Sequence, residues 1–156
     1  MSINKNWSRW IFASVSMHFD AQRQDIPLHI EGQPRDIKQD QIGWFELRLD
    51  GPYYTESSRK LWDIYVEVNV LILAAMLDTD THRIRRLAGI VESAFTNISV
   101  FRYGDGIEDD KSYLGCLRLL QDNNNRVKTN HFGQVEPNLN QEQASVEGHY
   151  TMTLNE

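Results

Sequence analysis

A chain of 156 residues is the size of one ordinary domain and long enough to bury a core. With 40% hydrophobic and 24% charged residues it matches the globular average and lies outside the composition of disordered chains. A formal net charge of -6 withholds the basic field on which phosphate-backbone binding depends, so it argues against affinity for nucleic acid.

From Asn6 to Gln22 the residues Trp7, Trp10, Ile11, Val15, His18 and Phe19 recur at three- and four-residue steps, the stripe of an amphipathic helix with Asn6 as its N-cap. The polar stretch before it, Met1 to Arg9, lacks the apolar region of a signal peptide. The longest apolar run, Val70 to Leu77, is too short to span a bilayer. Synthesis in the cytoplasm, away from membranes, is expected. Ile26 to Glu31 predicts an edge strand, because Pro27 has no amide to donate. Gly32 to Asp36 then forms a turn-rich break.

Strict alternation predicts a strand over Trp44 to Asp50, ended by Gly51-Pro52, with Tyr53 to Lys60 as a polar connection. Leu61 to Leu73 reads as a long β-branched strand, with Ile64, Val66, Val68 and Val70 on one face and Tyr65, Glu67, Asn69 and Leu71 on the other. Asp78 to Thr81 supplies N-capping residues for a second helix, whose apolar stripe is Ile84, Leu87, Ala88, Val91, Ala94 and Phe95. Ile98 to Tyr103 and Ser112 to Leu120 make a hairpin around the acidic loop Gly104 to Lys111. Asp122 to Asn125 is a polar turn. The stretch Arg126 to Gln143 is loop-like, with room for a short strand at Arg126 to Phe132, and Val146 to Leu154 is a closing strand. Helix, strands, helix and strands in that order predict one α+β domain over residues 1–156, a mixed or antiparallel sheet packed against two helices.

Chemistry-bearing patterns are sparse. There is no Gly-x-Ser-x-Gly turn for a nucleophile and no Gly-rich phosphate loop. Cys116 lies in an apolar stretch without an acid–base partner in sequence, and a reduced, buried thiol is expected. His18, His29, His82, His131 and His149 lack paired ligand spacing, so no metal or other cofactor is expected. The acids Asp36 and Glu46 with Arg48 form a loose version of the split carboxylates of Mg²⁺-dependent nucleases, but arginine stands where a lysine is needed and does not deprotonate. Glu108, Asp109 and Asp110 lack the alternation of a calcium loop. Arg83, Arg85 and Arg86 place positive charge early in the second helix, against the dipole, either as a solvated face or as a rim contact to acids of a neighbouring subunit. Trp7, Trp10, Trp44 and Trp62 suit either core or interface.

The layout resembles the lambda-like tail terminator family of long-tailed bacteriophages. The likeness is carried by the N-terminal helix, the strand Trp44 to Asp50, Tyr53-Tyr54-Thr55, the long strand from Trp62, the second helix, the strand Ile98 to Tyr103 with its acidic turn, and the ending Tyr150-Thr151-Met152-Thr153-Leu154. It covers nearly the whole chain. The resemblance implies a structural virion protein of the tail and neck, assembled in the host cytoplasm. Such a protein forms a hexameric ring at the head-proximal end of the tail tube, stops its polymerisation and offers its other face to the neck connector. Its partners are further copies, the tail-tube protein and the connector, with DNA passing through the lumen unbound, and it catalyses no reaction. The interface and lumen candidates are Tyr53, Tyr54, Glu56 and Arg59 in one loop, Arg83, Arg85 and Arg86 on the helix, and Asp105, Glu108, Asp109 and Asp110 in the other loop. The long segment Asp122 to Gln143 departs from the compact family pattern. The alternatives are a head-completion or stopper protein, a metal-dependent nuclease, and a monomeric module that binds peptides along an exposed sheet edge.

Overall fold

Period-2 alternation over long stretches produces a sheet that dominates the molecule. The computed structural model describes residues 3–32, 43–75, 82–103, 112–134 and 141–155. Its elements are α1 (Trp7–Gln22), β1 (Leu28–Ile30), β2 (Gly43–Ser58), β3 (Leu61–Ala75), α2 (Arg83–Ala94), β4 (Ile98–Arg102), β5 (Ser112–Leu119), β6 (Lys128–Gln134) and β7 (Gln141–Asn155). The result is a mixed α+β fold, a curled sheet backed by two helices, as the patterning predicts.

The sheet runs β1-β2-β3-β7-β5-β4, with β6 also paired to β7. β1 joins β2 in parallel and the other pairs are antiparallel. β7 is central: along one side it pairs with β3 from Gln141 to Asn155, while its other side is shared by β6 (Glu142 to Glu147) and β5 (Tyr150 and Thr151).

One sheet face meets the helices. Ile64, Val66, Val68, Val70 and Ile72 of β3, with Ala144, Val146 and Tyr150 of β7, are almost wholly buried there beside Phe45 and Leu47. Against them pack Ile11, Val15 and Phe19 of α1 and Leu87, Ala88 and Val91 of α2. Each large aliphatic chain buried in this layer contributes roughly 1.5–3 kcal/mol. Phe95 is in edge contact with Phe19 (5.1 Å between centroids) and stacks near Tyr150. Phe95 sits directly on Gly148, where a Cβ would meet its ring at 2.5 Å. Helix α1 also closes the outer edge of β4. The Phe101 amide donates to Ser14 Oγ at 3.0 Å, and the Tyr103 carbonyl accepts from Trp10 Nε1 at 3.1 Å. Backbone groups that would otherwise invite a foreign strand are thereby satisfied.

Several expectations are corrected. Gly51-Pro52 does not end β2: the strand bulges between Asp50 and Tyr53 and continues to Ser58, because Tyr53 to Glu56 pair with Tyr65 to Trp62. The stretch Tyr53 to Lys60 is therefore one arm of a hairpin with a tight turn at Arg59 and Lys60, not a connection. The Gly51–Pro52 bond is cis. Most of Arg126 to Gln143 is not loop, since β6 pairs in register with a β7 that begins at Gln141. The short strand anticipated within that stretch is present, shifted to Lys128–Gln134. Asn6 is not a side-chain cap; instead Asn4 accepts the Asn6 amide at 2.9 Å and the Trp7 amide bonds to the Asn4 carbonyl. Cys116 is half-buried and not buried. The edge position of the strand around Pro27 is observed, with the Pro27 carbonyl accepting the Phe45 amide. Asp78 to Thr81 lie outside the described residues.

Candidate functional site

Helices cover one sheet face. On the other, the alternation of β2, β3 and β7 sets a polar surface whose register places residues side by side: Arg48 with Asn69 and Glu147, Asp50 with Glu67 and His149, and Tyr53 with Tyr65 and Thr151. Asp63 and Glu46 extend it toward either end. This face is acidic. Asp50 and Glu67 are direct cross-strand neighbours, an arrangement that weakens a sheet.

An aromatic row crosses the strands. The Tyr53 ring lies 6.2 Å from Tyr65, which stacks 5.9 Å from His149, and the Tyr65 hydroxyl is hydrogen-bonded to His149 Nδ1. The Tyr53 hydroxyl donates to Asp50 Oδ1 at 2.6 Å. That bond and the Asp50 charge raise the Tyr53 hydroxyl above its ordinary value. Partial burial, then the charges of Glu67 and Asp50, do the same for Tyr65. Beside the row, the amides of Asn124 and Asn125 and the Asn125 side chain close on the Asp122 carboxylate and hold it below the usual range, with a smaller pull from His149.

Two depressions mark the surface. One of about 430 Å³ lies between Arg48, Asp50, Glu67, Asn69 and Leu71 and is overhung by Phe132, which is 57% exposed. A second, of about 220 Å³, is lined by His29, Glu31, Glu46 and Arg48 at the β1 edge. The Glu46 carboxylate is only 5% exposed and takes an ion pair from Arg48 at 3.4 Å. Among the described residues, no three His, Cys, Asp or Glu side chains converge as a metal-binding group.

The predicted site residues do not gather at one place. Tyr53 and Glu56 stand exposed on the outer half of β2, with Arg59 exposed at the hairpin turn. Tyr54 turns to the face opposite Tyr53 and is half-buried on the helix side of the sheet. Arg83, Arg85 and Arg86 begin α2 at the other end of the sheet, one turn from the Leu87 that packs over Gly43. Tyr53, Tyr54 and Glu56 pair with Tyr65, Ile64 and Trp62, so 10 to 13 residues of β3, roughly 33–43 Å at a strand's usual rise, lie between them and the strand's end at Ala75. Arg83 is half-buried, while Arg85 and Arg86 are exposed. Asp105, Glu108, Asp109 and Asp110, like Asp36 of the nuclease pattern, lie outside the described residues. The aromatic row was not foreseen. β3 and β7, which carry Tyr65 and His149, show their polar faces in the alternation, but only register brings the two side chains together.

No family model and no curated protein matches the chain. Among the described residues no helix is long and apolar enough to cross a membrane.

Proposed function

We propose that the chain is a structural subunit of a long-tailed bacteriophage, forming a ring that ends the tail tube at its head-proximal end and joins it to the neck. The observation that carries this reading is the open acidic face. Asp50, Asp63, Glu67 and Glu147 stand on it against Arg48, Arg118 and Lys128, with Asp50 and Glu67 opposed at a cost in stability. A face on which acids outnumber the bases Arg48, Arg118 and Lys128 suits a surface along which DNA slides and does not stick. The element order and the helix-backed sheet are in keeping with a terminator-like layout, and the β2–β3 hairpin supplies an arm that can reach a neighbouring ring. In this role the protein acts by geometry and carries out no turnover.

The test is to grow tail tubes from the cognate tube protein with and without this chain, and to measure tube length and end structure by electron microscopy. Capped tubes of restricted length are expected, with a ring at one end. Tubes that grow unchanged and bear no added density would refute the proposal. Cleavage of DNA that appears only with Mg²⁺ and is lost in Glu46→Ala would turn the reading toward a nuclease.

A further inference from the structure

We infer that copies of this chain join head to tail by strand pairing, the outer edge of β2 in one copy against the outer edge of β6 in the next. This rests on the ring reading above and names the surface that would build the ring. Among the described residues, β1 covers β2 only from Phe45 to Leu47, and no strand pairs with its outer edge from Asp50 to Ser58. Likewise none pairs with β6 on the side away from β7. The contrast with β4 is informative, because there α1 satisfies the edge.

Register fixes which groups point outward. Phe45 and Leu47 bond to the β1 side, so alternation, carried through the bulge after Asp50, turns the amides and carbonyls of Tyr54 and Glu56 away from β3. On β6 the same count from β3 through β7 turns out those of Thr129 and His131. Among the described residues, each edge therefore offers a short ladder of groups that no strand pairs.

The two edges differ in charge. From Leu49 to Ser58 the charged residues are Asp50 and Glu56; from Arg126 to Gln134 they are Arg126 and Lys128. Glu56 stands on the helix side of the sheet and Lys128, opposite Glu147, on the other, so the edges attract through their net charge and not through one opposed pair, whereas either edge meeting its own kind brings like charges together. The preferred contact is thus heterologous, the type that closes into a ring or runs on as a filament. The edges lie diagonally across the sheet, since β6 flanks the β7 half that begins at Gln141 while the open part of β2 pairs with the β3 half that begins at Leu61. Successive copies would be staggered, as strands are in a closed barrel.

The test uses the full chain and the mass in solution by sedimentation. Wild type is expected as a multiple of 18.2 kDa. Glu56→Pro and His131→Pro each remove one outward amide and are expected to remain at 18.2 kDa alone, with near-ultraviolet circular dichroism reporting an intact fold. Mixed in equal amounts, they retain one sound edge of each kind and are expected to give a species of twice the chain mass and nothing larger. The paired changes Asp50→Lys with Glu56→Lys, and Arg126→Glu with Lys128→Glu, reverse the charge of one whole edge, leave the backbone unchanged and serve if a proline variant does not fold: each pair alone should weaken assembly at least tenfold, and the two pairs combined should restore it. A wild type that stays monomeric at every concentration overturns the inference. So does an assembly that persists in both proline variants and both charge variants, although the ring reading then stands. Failure to cap tubes by a chain that assembles through these edges instead removes the ring reading and leaves the pairing intact.

Discussion

The Tyr65 hydroxyl is hydrogen-bonded to Nδ1 of His149, diagonally across β3 and β7 on the sheet face opposite the described helices. The bond ties the two strands of the longest continuous pairing on the side the described helices do not reach. Tyr65→Phe removes it while keeping the ring stack, and is expected to cost about 0.5–1.5 kcal/mol. The check is the urea midpoint at unchanged slope. An unchanged midpoint would show that the bond contributes nothing in solution.

Glu67→Gln is expected to stabilise the protein, unlike most substitutions at a paired strand position. It relieves the opposition to Asp50 and should gain about 0.2–1 kcal/mol at low salt. In 1 M salt the gain should largely vanish, because the Debye length is then about 3 Å. Thermal melts at the two salt concentrations decide it, and a loss of stability at low salt would contradict the electrostatic account of this face.

Tyr150 links stability to alkaline pH. Its side chain is buried and its hydroxyl donates to the Thr96 carbonyl at 2.9 Å, so burial raises its ionisation far above the ordinary 10.0. Above that pH the unfolded chain loses this proton and the native chain keeps it, so the native state binds more protons and stability falls as pH rises. The expected loss is about 1.4 kcal/mol for each pH unit above 10 from this residue alone. Tyr150→Phe should lower stability by about 1 kcal/mol at neutral pH and flatten the alkaline decline. Denaturation midpoints from pH 8 to about pH 11 test both.

Gly148→Ala should destabilise by about 1–3 kcal/mol, since the new methyl would strike the Phe95 ring in the middle of β7. Phe95→Leu frees that space, and the double variant should recover part of the loss. Strict additivity would show that the ring is not what excludes the methyl.

Ser14→Ala leaves the Phe101 amide on the β4 edge without its acceptor. A cost of about 1–3 kcal/mol is expected, with faster hydrogen exchange at Phe101 than at its strand neighbours. Uniformly faster exchange across β4 would mean that the helix covers the edge by packing alone.

Much of this architecture is legible in the amino-acid order because period-2 and period-3.6 patterns report burial directly. Val66, Val68 and Val70 are buried where alternation places them, and Ile84, Leu87 and Val91 face the sheet as their spacing requires. What escapes is what depends on partners. Gly51-Pro52 carries the signature of a strand end, yet β2 continues because Tyr65 to Trp62 lie opposite and a bulge absorbs the extra residue. Lys128 to Gln134 shows little alternation and becomes a strand only because β7 offers its edge. The candidate site divides in the same way. The polar faces are visible residue by residue, whereas the opposition of Asp50 to Glu67 and the contact of Tyr65 with His149 depend on registers between residues 17 and 84 positions apart in the chain.

The shared pairing of β7 bears on how the chain comes into being. Because β7 separates β3 from β5 and β6, no strand pairing joins the two halves of the sheet until Gln141–Asn155 has been made, and until then, among the described elements, α1 alone packs on both β2 and β4. The sheet can therefore close only once every other described element has been made, so its central pairing is a late, long-range step of folding.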